Sequence, residues 1–271
     1  MSFGSRARAA MAAYGGACVG IDPHASLLAE WGLPDDVAGL DRFASICVEA
    51  FAGHVAFVKP QSAFFERFGA RGVVVLERTI QDLRHTGSLV ILDVKRGDIG
   101  STAAAYADAY LDEDSPMAAD AITVSPYLGF GSLTPFFDVA ANNDAGVFVL
   151  ALTSNKEGPE VQLATNGEQT VAGSILAQLA SLNAGVEPMG AFGAVVGATI
   201  GDAKEDLAIN GPLLVPGFGT QGGTVSDINR IFGGVLPNVI PSTSRGVLSQ
   251  GPDVQALRDS VARVNAELVG S

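Results

Sequence analysis

This chain is poor in sulfur, histidine and positive charge. Its 271 residues include two cysteines, three histidines and one tryptophan, and 16 Lys and Arg face 29 Asp and Glu for a formal charge of −13. Cys18 falls in an apolar run and Cys47 in an apparent helix, where reduced core thiols are expected and neither suggests a metal site. His24, His54 and His85 lack ligand spacing, so no metal is expected. The acidic balance argues against a general nucleic-acid surface, which needs clustered cations against phosphate. No apolar run approaches the roughly 18 residues of a membrane span. The opening MSFGSRARAAMAAYGG lacks the apolar core of a signal peptide, so a cytoplasmic protein without membrane association is expected.

With so few cations, those at the ends of apolar runs stand out: Lys59, Lys95 and Arg245. The organising stretch is SLVILDVKRGDIGST, 88–102. Leu89 to Leu92 reads as a buried strand. Strand alternation turns Asp93 and Lys95 to one side and Arg96 to the other. Gly97 allows a bend that frees Asp98 to sit beyond the strand or reach a second subunit. Ser101 or Thr102 is expected to cap the next helix. Taken alone, such a triplet also fits a solvated ion-pair turn. A fully buried strand before it, and polar strand ends recurring along the chain, favour a site.

Apolar runs at 17–21, 55–58, 89–92, 121–124, 146–152, 191–198, 213–215 and 238–240 read as eight strands. Helical patterns between them include one capped by Asp41, one over 202–207 and a last one over 252–269, with a polar segment at 156–168. Alternation of this kind predicts a (β/α)8 TIM barrel in one domain over 1–271, with 1–16 as a lead-in; a doubly wound open sheet shares the alternation. In such barrels the site lies at the carboxyl ends of the strands, with phosphate held after strands seven and eight. There the sequence sets Asp22, Lys59, Asp93, Lys95, Ser154, Gln221 and Arg245.

The loop PGFGTQGG, 216–223, precedes Thr224-Val-Ser-Asp227, a capping-box pattern. Free amides and a helix amino end suit a phosphate, and Ser242 to Arg245 could complete the clamp. A dinucleotide reading of Gly217 to Gly222 is set aside, because 239–244 offers no acid at the required distance.

Asp93-Val-Lys95-Arg-Gly-Asp98-Ile-Gly-Ser-Thr102 resembles the signature of the orotidine 5′-phosphate decarboxylase family, in its longer bacterial (type 2) form. Gly20-Ile-Asp22-Pro, Phe57-Val-Lys59-Pro, Leu152-Thr-Ser154-Asn, Pro216 with Gln221-Gly-Gly, and Ser244-Arg245-Gly extend the likeness along nearly the whole chain. The resemblance implies decarboxylation of orotidine 5′-monophosphate to UMP without a cofactor, the last step of pyrimidine nucleotide synthesis. By it, Asp22 and Lys59 contact the ribose or the charged network, Ser154 the pyrimidine, and Gln221 and Arg245 the phosphate. Ile99, Pro216 and Ser244 also count as substrate-binding. Asp98 and Thr102 would enter the partner's site, which implies a homodimer with shared active sites.

The chemistry of the residues points the same way. Carboxylates beside Lys95 favour its ammonium form, which argues against a Schiff-base lysine. A fixed ammonium suits a reaction in which charge develops on carbon and is then protonated. Lys95 is thus expected to be the proton donor, Asp93 to face the departing carboxylate, and Lys59 and Asp98 to hold the array. One rival is a keto-gulonate phosphate decarboxylase, which shares Asp-x-Lys-x-x-Asp but resembles enzymes needing a divalent metal and an acid where this chain has Lys59. Another is a non-catalytic nucleotide-binding barrel.

Overall fold

The computed structural model describes residues 1–201, 204–219 and 222–269. In chain order the elements are α1 (Phe3–Tyr14), β1 (Cys18–Ile21), α2 (Ala25–Glu30), α3 (Val37–Phe51), β2 (Phe57–Pro60), α4 (Ser62–Glu66), α5 (Ala70–His85), β3 (Leu89–Arg96), α6 (Gly100–Leu111), β4 (Ala121–Val124), α7 (Thr134–Asn142) and β5 (Gly146–Leu152). There follow α8 (Pro159–Gln162), a hairpin of β6 (Thr165–Asn166) and β7 (Gln169–Thr170), α9 (Val171–Leu182), β8 (Phe192–Val196), β9 (Leu213–Pro216), α10 (Val225–Phe232), β10 (Val239–Thr243), α11 (Arg245–Leu248) and α12 (Val254–Val269). Among the described residues, eight parallel strands close a barrel in the order β1, β10, β9, β8, β5, β4, β3, β2. The TIM barrel expected from the alternation is the fold, and the open sheet is excluded because β1 pairs with both β2 and β10.

Strand alternation divides the core in two. Outward residues such as Val58, Val90, Leu92 and Ile122 pack against the helices. Inward residues Cys18, Phe57, Leu89, Ile91, Phe148, Leu214 and Ile240 fill the lumen. Helix α1 closes the lower end: Phe3, Ala7 and Ala10 are buried with the lumen set, and Phe3 meets Phe148 edge-on at 5.9 Å. Its hold is also electrostatic, since Arg6 pairs with the buried Asp120, whose other oxygen accepts from Val90 N at 2.8 Å. Burying Phe3 alone contributes about 2 kcal/mol. Both cysteines are free and buried, and burial pushes the Cys18 thiol up to about 12.

Local capping differs from the sequence expectation in three places. Helix α3 starts before Asp41 because Asp36 accepts from Gly39 N at 2.9 Å; Asp41 instead pairs with Arg78. Helix α6 has Ile99 at its cap position without a side-chain bond, so Ser101 and Thr102 lie inside the first turn. Of the helix expected over 202–207, residues 202–203 lie outside the described residues and 204–207 are not helical. There Asp206 accepts from Ala208 N at 2.9 Å, a local turn that competes with helix formation.

Candidate active site

The period of two that sends Phe57, Ile91 and Ala121 into the lumen places Lys59, Asp93 and Thr123 one layer higher, at the carboxyl ends of β2, β3 and β4. Asp93 is the hub. Lys59 Nζ donates to its Oδ2 at 3.0 Å, and Lys95 Nζ to its Oδ1 at 2.6 Å. Thr123 Oγ1 also donates to Asp93 Oδ1, at 2.7 Å. Plain alternation does not bring Lys95 there. The pairing of β3 with β4 shifts register between Leu92 and Arg96, and Lys95 has a left-handed backbone with φ 46°. Thr123 stabilises that irregularity, because its hydroxyl accepts Lys95 N–H at 3.0 Å. Arg96 turns outward as expected, with Nη2 2.6 Å from Glu66 Oε1 and Nη1 3.0 Å from the Val94 carbonyl.

Lys59 and Asp93 are both buried. Burial works against the Lys59 ammonium, but the carboxylates of Asp93 and Asp22 outweigh it and hold its pKa above the ordinary lysine value. Burial likewise disfavours the Asp93 carboxylate, yet Lys59, Lys95 and the Thr123 hydroxyl draw its pKa well below the usual carboxylate range. The pair is therefore charged across the neutral range. Asp22 is half-buried at the end of β1, and its Oδ1 is buried without a hydrogen-bond partner.

A cavity of about 420 Å³ brings together five of the expected site residues, Lys59, Asp93, Lys95, Ser154 and Pro216. Other expected residues lie elsewhere. Asp98 is half-buried and accepts from Ile99 N at 2.8 Å, with no ion pair to Lys95 among the described residues. Ile99 and Thr102 are exposed at the start of α6. Ser244 precedes α11, where its carbonyl accepts from Val247 and Leu248 N–H groups, and Arg245 opens that helix with an exposed side chain. Gln221 lies outside the described residues. The expected capping box is present: Thr224 accepts from Asp227 N, and the Asp227 carboxylate accepts from Thr224 N at 3.0 Å.

Apart from its apolar lining, this cavity holds four polar residues that sequence reasoning did not single out, Thr123, Gln162, and Thr153 and Asn155 on either side of Ser154. Thr123 carried a signal, being the polar residue of the strand Ala121–Val124 at the lumen-facing position. Gln162 carried none, because it sits on α8, inside a segment with no apolar period.

The family model described as orotidine 5′-phosphate decarboxylase / HUMPS matches residues 17–260. The chain belongs to this family. A curated orotidine 5′-phosphate decarboxylase of Streptomyces coelicolor is 62% identical over 268 residues, covering 98% of this chain and 96% of the relative. One of Nocardioides sp. is 64% identical over 271 residues, covering 98% of each. Among solved structures, a Streptomyces avermitilis chain provisionally given the same decarboxylase name has a TM-score of 0.97 and 59% identity, over 99% of this chain and 95% of that one. Leishmania donovani OMP decarboxylase matches with a TM-score of 0.74 and 28% identity over 100% of both chains.

Proposed function

We propose that this carboxy-lyase converts orotidine 5′-monophosphate to UMP and CO2 without a cofactor, as the closing step of pyrimidine nucleotide synthesis. The observation that carries the reading is the alternation Lys59, Asp93, Lys95 at the rim of one cavity, with each Asp93 oxygen 3.0 Å or less from one ammonium. The bond from C6 of the pyrimidine to its carboxylate breaks, the electron pair stays on C6, and CO2 departs. Lys95 stabilises that pair and delivers a proton to it, then regains one from solvent. Its ammonium is already in place, so little reorganisation accompanies charge development. Asp93 orients the donor and faces the departing carboxylate. Lys59 keeps Asp93 anionic.

Asp22, with a buried acceptor lacking a partner, suits a ribose hydroxyl, because a donor there relieves an unsatisfied group. Ser154 takes the pyrimidine end, and Pro216, Gln221, Ser244 and Arg245 the phosphate end, whose binding energy orders the reacting end. Asp98 and Thr102 serve the cavity of a second copy, making the homodimer the working unit, and Ile99 contributes to substrate binding. Asp98 lies in the loop before α6 and Thr102 is exposed in its first turn, which supports that arrangement. Cytoplasmic placement fits a chain in which no helix among the described residues is long and apolar enough to cross a membrane.

The family description also covers the HUMPS branch. A buried lysine at position 59 disfavours a metal-dependent reaction, since it already occupies one Asp93 oxygen. The test is to follow the loss of absorbance when orotidine 5′-monophosphate is added, with and without chelator. Turnover that survives chelation supports the reading. Absence of turnover sinks it, and turnover abolished by chelator transfers the chain to the metal-dependent branch.

A further inference from the structure

We infer that Gln162 is a positioning residue that fixes the β5 tip, and with it Ser154, for recognition of the pyrimidine end of the ligand. The inference rests on the decarboxylase reading and deepens it. Gln162 grips a single residue with both ends of its amide: Oε1 accepts from Thr153 N at 2.9 Å, and Nε2 donates to Thr153 Oγ1 at 2.6 Å. The relay continues in one direction. Thr153 Oγ1 donates to Asn155 Oδ1 at 2.6 Å, and Asn155 Nδ2 donates to Glu157 Oε2 at 3.1 Å. Glu157 can only accept when ionised, so each donor is oriented in turn and neither amide can be flipped without breaking two bonds. Ser154 lies between Thr153 and Asn155, which the relay joins, and lines the same cavity as Lys95.

Packing closes around the Gln162–Thr153 end of this relay, while Asn155 and Glu157 are exposed. Gly158 is buried over it, and a Cβ there would come within 3.0 Å of Gln162 Oε1 and 3.1 Å of Thr153 Oγ1. From the other side, a Cβ on Gly197 would stand 3.1 Å from both the Cβ and the amide N of Ser154. The two glycines leave room for the gripped tip but little for an alternative. Helix α8 turns Gln162 inward while its neighbours Val161 and Leu163 are exposed. Gln162 itself lines the cavity that holds the charged array.

The test compares inhibition of the full-length enzyme by UMP and by ribose 5-phosphate, which lacks the ring, after wild-type turnover of orotidine 5′-monophosphate has been measured. Gln162→Ala is expected to weaken UMP about tenfold or more while ribose 5-phosphate stays within about twofold, a split that a general loss of structure would not produce. Gln162→Glu keeps the acceptor for Thr153 N–H and loses the donor, so its UMP affinity falls between wild type and Gln162→Ala. Equal weakening of both inhibitors, or of neither, overturns the inference and leaves the decarboxylase reading intact. Absence of wild-type turnover overturns both. Should Gln162→Ala not fold, Gly158→Ala carries the comparison, because its added methyl presses on the same two atoms and is expected to shift UMP in the same direction.

Discussion

Lys59 Nζ stands 3.0 Å from Asp93 Oδ2, with both side chains 9% exposed, at the top of a lumen otherwise filled by apolar residues. Two charges are tolerable there because each neutralises the other, and because Asp93 has Lys95 and Thr123 as further partners. Lys59→Met removes one cation and leaves Asp93 short of a donor. A loss of about 3 kcal/mol in urea denaturation is expected, at the low end for a broken buried pair since Lys95 remains. An unchanged midpoint would contradict the assigned burial.

Lys95 has a different balance. Its side chain is 45% exposed, so its pair with Asp93 contributes little to folding. Lys95→Ala should therefore unfold within about 1 kcal/mol of wild type. It should still bind UMP, yet turn over orotidine 5′-monophosphate several orders of magnitude more slowly. Near-normal turnover in a steady-state assay would remove Lys95 from the chemistry.

Thr123 links the backbone irregularity to the carboxylate hub. Thr123→Val preserves shape but leaves Lys95 N–H without an acceptor and removes one donor from Asp93. A decrease of about tenfold in kcat is expected, matching roughly 1.4 kcal/mol of lost positioning. Thr123→Ser should retain most of the rate, and a rate equal to that of the valine variant would assign the effect to packing.

The pH dependence of stability follows from the directions of the two shifts. Asp93 is lowered, so its contribution is present above the ordinary carboxylate range and is lost as pH falls through its folded value. Lys59 is raised, so its contribution is present below the ordinary lysine range and is lost as pH rises through its folded value. Between about pH 5 and 9 neither changes protonation on unfolding, and the pair adds no slope. The advantage in urea midpoint of wild type over Asp93→Asn should narrow below about pH 4, as wild-type Asp93 loses its contribution. An advantage that stays undiminished down to about pH 2 would contradict the lowered direction of Asp93.

The barrel was legible because buried strands alternate with helices, and Lys59 and Asp93 were legible as charged residues ending two of those apolar runs, at the face where barrels carry their sites. Lys95 was placed beside Asp93 by an argument that holds for regular strands, whereas the contact depends on a register shift and a left-handed residue. No residue pattern announces that shift, because the hydroxyl that stabilises it comes from β4. The cap of α3 was expected at Asp41 and lies at Asp36, because several acids stand near that boundary and backbone geometry chooses among them; the helix expected over 202–207 is replaced at 204–207 by the turn that Asp206 makes with Ala208 N. Gln162 was invisible because its role comes from reaching back nine residues to Thr153.

The left-handed backbone at Lys95 also bears on how this chain would drift under selection. A side-chain-bearing residue in that conformation is held at a penalty of about 1 kcal/mol that glycine does not incur and asparagine incurs less. In a library screened for heat resistance alone, glycine and asparagine should accumulate at position 95. Adding a growth requirement for pyrimidine should restore lysine, so the two screens would diverge at this codon.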